Sequence, residues 1–156
     1  MARKSHHGNL VLSHRLSKTF TWFMFMEIII KRQALLSALA GAKAAYPNEF
    51  ICLLTGERED GADNTTNIVI DGTIIPPGIS VSRGASMFDD WMMPLLDGVV
   101  GSFHSHPNGN ILPSRQDLRL FSKKGGINFI AAAPYGMKDV ACYFSNSKKA
   151  EFKVAD

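Results

Sequence analysis

His104 and His106 stand two residues apart, and Asp117 follows eleven residues after the second. Two neutral imidazoles and one carboxylate are a donor set that suits zinc. Three protein ligands leave the fourth tetrahedral position open, which distinguishes a catalytic zinc from a structural one. Alternate residues of a strand share a face, so a strand ending before Pro107 presents both imidazoles together. Asn108-Gly109-Asn110 is turn chemistry that lets the chain double back. A helix opening at Ser114 then carries Asp117 in its first turn, facing the histidines.

Each part has a plainer reading. Ser114-Arg115-Gln116-Asp117 is by itself a capping box, in which serine and acid satisfy each other's backbone N–H groups. A lone His-x-His pair often only satisfies neighbouring backbone. The combination is more telling, because strand, turn, cap and carboxylate fall in one short window. Ser114 can cap the helix and still present its hydroxyl to the site. Hydrolysis also needs a general base that is not a ligand. Glu49 is the candidate, an acid opening an apolar strand directly after Pro47-Asn48. Glu57, Glu59, Asp60 and Asp63 fall in a polar stretch, and Asp89, Asp90 and Asp97 on or beside a helix face, so they are poorer choices.

The elements that must position these groups are legible in outline. Ile28-Ile29-Ile30 suits a strand. Gln33–Ala45 is rich in Ala and Leu at helical spacing and stops at Tyr46-Pro47. Glu49–Thr55 and Asn67–Ile75 read as strands with a polar loop, Arg58–Thr66, between them. Ser86–Met93 is amphipathic and reads as a helix ended by Pro94, with Phe88, Trp91, Met92 and Met93 together. Gly98–His106 is the histidine strand, and Ser114–Lys124 a helix stopped by Gly125-Gly126. Ile127–Ala133 and Val140–Phe144 are further strands, and Phe152–Val154 a short last one. About six strands with two or three helices argue an α+β, αβα-layered domain.

A chain of 156 residues is long enough for one domain with its own core. Residues 1–25 hold four basic side chains and no acid and read as a basic tail or extension, leaving 26–156 as the functional domain. Beyond that segment, 13 Lys and Arg face 14 Asp and Glu, so the pI of about 9.0 makes no case for nucleic acid. No apolar run is long enough to span a membrane. Cys52 and Cys142 sit in apolar runs without a Cys-x-x-Cys pattern and read as buried thiols of a cytoplasmic protein. The P-C-x-x-C element of nucleobase deaminases and the H-E-x-x-H element of thermolysin-like proteases are both absent.

The sequence resembles the JAMM (MPN+) zinc metalloproteases. Their signature is an upstream glutamate, then H-x-H-P, six residues, and S-x-x-D. Here His104-Ser105-His106-Pro107 is followed by Asn108 to Pro113 and then Ser114-Arg115-Gln116-Asp117. Upstream, Tyr46-Pro47-Asn48-Glu49 and Phe50–Gly56 resemble the family's helix–Glu–strand–Gly segment. The resemblance spans roughly Glu27 to Phe144 and departs from the family at Ile51-Cys52, where small residues are more usual. It implies a mixed sheet between helices, the MPN fold related to cytidine deaminases. It also implies zinc held by His104, His106 and Asp117, with Glu49 holding the fourth-site water and Ser114 serving the oxyanion. The implied reaction is isopeptide or peptide cleavage after the C-terminus of a ubiquitin-like β-grasp modifier or sulfur-carrier protein, as in compact prokaryotic and archaeal members. Two rival readings are a non-catalytic scaffold of the same fold and a DNA-repair-associated branch of the superfamily.

Overall fold

A computed structural model of the protein describes residues 26–61, 65–75, 80–82, 85–87, 97–124 and 126–156. The basic segment 1–25 lies outside these residues, as do Phe88, Trp91, Met92 and Met93. Strand β1 (Met26–Lys31) runs directly into helix α1 (Arg32–Ala45). Strands β2 (Ile51–Asp60), β3 (Thr66–Ile74), β4 (Ser80–Ser82), β5 (Ala85–Met87) and β6 (Val99–His106) follow. Helix α2 (Arg115–Lys124) then leads to β7 (Ile127–Ala132), β8 (Val140–Phe144), β9 (Lys149–Ala150) and β10 (Lys153–Ala155).

Eight strands form one mixed sheet in the order β10-β1-β3-β2-β6-β7-β8-β9, and β4 and β5 pair separately. β1 runs parallel to β3 and β10, and β6 parallel to β7; the remaining pairs are antiparallel. Helix α1 buries Ala34, Leu35, Ala38, Leu39 and Ala42 along one stripe. They pack with Ile28, Ile30, Cys52, Leu54, Phe103, Phe129 and Cys142 into the main core. A second, smaller cluster of Phe121, Ile130, Ala141 and Tyr143 lies beside the histidine strand. Phe103 belongs to the main core, whereas Phe121 of α2 packs on the ring of His104. Alternation along β6 therefore separates an apolar face towards α1 from a histidine face towards α2. This is the expected α+β layered fold.

Three readings need correction. Glu57–Asp60 is not loop but the outer half of β2, paired to Thr66–Val69 of β3. These residues are polar because past Thr55 β2 has no ladder to β6, and the projecting hairpin meets water. Ser86 and Met87 belong to β5, not to a helix, because three residues on each side form an antiparallel ladder between β4 and β5. The described residues hold ten strands rather than about six; the additional ones are mostly two or three residues long, too short to show a period. Both cysteines are buried and free, as their apolar surroundings suggested.

Close approach of β6 and β7 requires Gly101. A Cβ there would stand 1.8 Å from the Ile127 carbonyl oxygen. The β6–α2–β7 unit is a parallel crossover. It places the C-terminal end of β6 beside the N-terminus of α2, where α/β units gather ligands.

Candidate active site

His104 and His106 occupy the last turn of the pleat in β6, both buried, and Asp117 lies buried in the first turn of α2. The strand and helix bring all three together. Asp117 Oδ1 stands 3.3 Å from His104 Nδ1, and Oδ2 3.2 Å from His106 Nε2. The connecting loop is shaped by its own side chains. Asn108 Oδ1 accepts the Asn110 N–H at 3.0 Å, and Asn110 Oδ1 accepts the Leu112 N–H at 2.9 Å. Gly109 takes the left-handed φ of 78° that the turn requires. The Asn110 carbonyl lies 2.7 Å from His106 Nδ1, so that nitrogen donates and Nε2 is left facing Asp117.

The capping box forms as well. Ser114 N–H donates to Asp117 Oδ2 at 2.6 Å, and Asp117 N–H donates to Ser114 Oγ at 3.2 Å. Ser114 Oγ acts here as acceptor, so its own O–H remains available to donate. The plainer reading of Ser114 and Asp117 is thus realised together with their place beside the histidines.

Glu49 lies two residues before β2 and half-buried, not within the strand. It is nevertheless placed by strand-like contacts. Ile51 pairs with His104, and Phe50 exchanges hydrogen bonds with Ser105: Ser105 N–H donates to the Phe50 carbonyl, and Phe50 N–H donates to Ser105 Oγ. One further step along this antiparallel register sets Glu49 opposite His106. Its charge contributes to the electrostatics of that imidazole.

Electrostatics bind the cluster. Burial alone would raise the Asp117 pKa, but hydrogen bonds from His104, His106 and Ser114 outweigh it and hold the carboxyl far below its ordinary range. Burial disfavours charge on His106 too; the Asp117 hydrogen bond, the Asn110 carbonyl and the negative charges of Asp117 and Glu49 outweigh it and raise that pKa.

Among the described residues no three His, Cys, Asp or Glu side chains are spread as a ready-made metal cage, and Asp117 stands against both imidazoles. The residues still fit a zinc ion: two imidazoles and a carboxylate are buried side by side, and one ring nitrogen is left over. His104 Nε2 is buried without any hydrogen-bonding partner, an arrangement that costs about 1–3 kcal/mol unless something fills it.

The profile of the family described as prokaryotic homologs of the JAB domain matches residues 31–144. The chain belongs to that family, the compact JAMM/MPN+ type. This JAB-domain chain is 35% identical over 137 residues to a probable metalloprotease of Haloferax volcanii, covering 86% of the chain and 84% of the relative. Its fold is similar to a solved JAMM structure, described as a metalloprotease-like zinc site in the proteasome and signalosome, with TM-score 0.60 and 29% identity. That match covers 83% of this chain and 99% of the other. A JAB1/MPN domain protein from Archaeoglobus fulgidus matches with TM-score 0.58 and 28% identity, over 83% and 98% of the two chains. A Desulfitobacterium hafniense protein shares the fold at TM-score 0.61 with 21% identity, over 83% and 93%.

Supporting residues escaped the sequence reading. Ser105 sits inside the H-S-H-P segment, yet nothing in its type announces that it grips Phe50. Tyr143 donates to the Ile111 carbonyl at 3.0 Å, a contact 32 residues apart that only the fold creates.

Proposed function

We propose that this JAB-domain protein is a zinc-dependent isopeptidase or peptidase that cleaves after the C-terminus of a ubiquitin-like β-grasp modifier or sulfur-carrier protein. The observation that carries the proposal is the buried bridge of Asp117 to both imidazoles, with His104 Nε2 unpartnered and Glu49 alongside. His104, His106 and Asp117 would hold the ion. When bound, zinc supplies Lewis acidity that polarises a carbonyl and brings the pKa of water towards about 7.

The chain's own residues divide the remaining work. Glu49 is not a ligand in this reading; its carboxylate takes a proton from the attacking water and later delivers it to the leaving amine. Ser114 is exposed and bonded to Asp117, and it donates its O–H to the developing oxyanion. The Asn110 carbonyl keeps the proton of His106 on Nδ1. The relative from Haloferax volcanii, named a probable metalloprotease, supports the protease class. The substrate class rests on the likeness of the motif to JAMM enzymes.

A non-catalytic scaffold is less well supported, because the base, the three ligands and the serine are all present together. The DNA-repair alternative finds little electrostatic support in a chain whose charges balance beyond residue 25. No helix among the described residues is long and apolar enough to cross a membrane. Metal analysis of the purified protein, with cleavage of isopeptide-linked and linear β-grasp fusions in the presence and absence of chelator, tests the proposal. Zinc near one equivalent with chelator-sensitive cleavage is expected. A protein that binds zinc but cleaves neither fusion would favour the scaffold.

A further inference from the structure

The histidine face carries an apolar cluster separate from the main core: Phe121, Ile130, Ala141 and Tyr143, with Ile111 packed against it. Two of its contacts lead directly to the histidines. The Tyr143 hydroxyl donates to the Ile111 carbonyl at 3.0 Å, and Ile111 follows Asn110, whose carbonyl receives His106 Nδ1–H at 2.7 Å. The Tyr143 ring stacks on Phe121 with centroids 6.2 Å apart, and Phe121 in turn lies edge-on to His104 at 6.3 Å. One side chain, two strands away from β6, thus reaches both imidazoles by different arms.

We propose that Tyr143 is a positioning residue for the metal ligands, its hydroxyl fixing the loop that orients His106 and its ring backing the phenylalanine that walls His104. The proposal rests on the reading of His104, His106 and Asp117 as a metal-binding set. The loop needs such an anchor, because it crosses from β6 to α2 without a strand partner. Its internal bonds, from Asn108 and Asn110, set its curvature, and its bonds to His106 reach only the end of the strand it leaves. The Tyr143 bond ties it to a second strand, β8. Tyr143 is almost wholly buried, and burial pushes its pKa up, so the hydroxyl stays a donor at neutral pH. Removing it frees the Ile111 carbonyl and lets the adjacent Asn110 carbonyl drift from His106. Partners that orient a ligand in this way typically change metal affinity by roughly 10–100-fold, and an arm one bond further out belongs near the lower end.

The test is zinc affinity of metal-free protein by competition with a chromophoric chelator, with the melting temperature of each metal-free form measured beside it. Tyr143→Phe keeps the ring stack and removes only the hydroxyl. It is expected to bind zinc about tenfold more weakly while the metal-free melting temperature stays close to wild type. Phe121→Leu probes the ring arm, keeps the Ile111 bond, and is also expected to weaken zinc. Wild-type affinity in both variants overturns the proposal, and so does a lowered melting temperature with unchanged affinity, which marks a purely structural role. Wild type that binds no zinc instead removes the ligand assignment itself, and this inference with it.

Discussion

Ser105 holds Phe50 by both of its backbone polar groups, its Oγ accepting the Phe50 N–H at 2.7 Å and its own N–H donating to the Phe50 carbonyl at 2.8 Å. Glu49 immediately precedes Phe50, so this clamp holds the backbone from which its charge acts on His106. Ser105→Ala leaves the Phe50 N–H without its acceptor, at about 1–3 kcal/mol. The expected result is a lower kcat on whichever β-grasp fusion the wild type cleaves, with zinc affinity nearly unchanged. Chelator competition and steady-state kinetics on the same preparation separate the two effects.

Glu49→Gln keeps the size and shape of the side chain and removes its basicity. Zinc content should stay at the wild-type level, while turnover falls by roughly 10²–10⁴-fold, the usual contribution of a general base. Full activity in this variant would assign the base elsewhere.

Asp117→Ala removes the group that touches both imidazoles and receives the Ser114 N–H. Zinc affinity should drop by more than about 100-fold, since the loss exceeds that of an outer-shell partner. Metal analysis after gel filtration gives the answer, and full retention of zinc contradicts the ligand set.

Metal-free and zinc-loaded protein should respond to pH in opposite ways. Without metal, the His106 pKa is raised above its ordinary 6.5, so its stabilisation is complete below that value and is lost as pH rises through the raised pKa. Asp117 is depressed below 3.8, so its contribution is present above 3.8 and is lost as pH falls through the depressed pKa. The pair therefore stabilises metal-free protein most between 3.8 and 6.5. Zinc binds deprotonated imidazole, so the gain in melting temperature on adding zinc should grow from pH 6 to pH 8. Thermal melts at fixed zinc check this, and a gain that shrinks with rising pH contradicts it.

Gly101→Ala places a Cβ 1.8 Å from the Ile127 carbonyl oxygen, so β6 must separate from β7 directly behind the histidines. A cost of about 3 kcal/mol, the upper end for overpacking, is expected. It should appear as a reduced denaturation midpoint accompanied by weaker zinc binding, because the same strand carries two of the three proposed ligands, His104 and His106. A midpoint equal to wild type would show that the two strands can part at no cost.

Much of the site was legible before folding because its parts are local. His104 and His106 share a face through the period of a strand, and Ser114 and Asp117 pair through the first turn of a helix. Both relationships depend only on neighbours within a few residues. The same holds for α1, whose Ala and Leu stripe ends at Tyr46-Pro47 as expected. The outer half of β2 was not legible, because Glu57–Asp60 is polar and takes its strand form from pairing with β3 rather than from its own residue types.

The amino-acid sequence by itself determined the candidate donor set, its spacing and the candidate base, since these are matters of residue type and short-range period. Tertiary structure decided the rest. It clamped Phe50, the neighbour of Glu49, to Ser105 55 residues away, turned the His106 proton towards Asn110, and tied the loop after His106 to Tyr143 on a distant strand. Those contacts join backbone and side-chain groups across sheet neighbours, and a linear pattern carries no signal for partners that only the order of strands brings together.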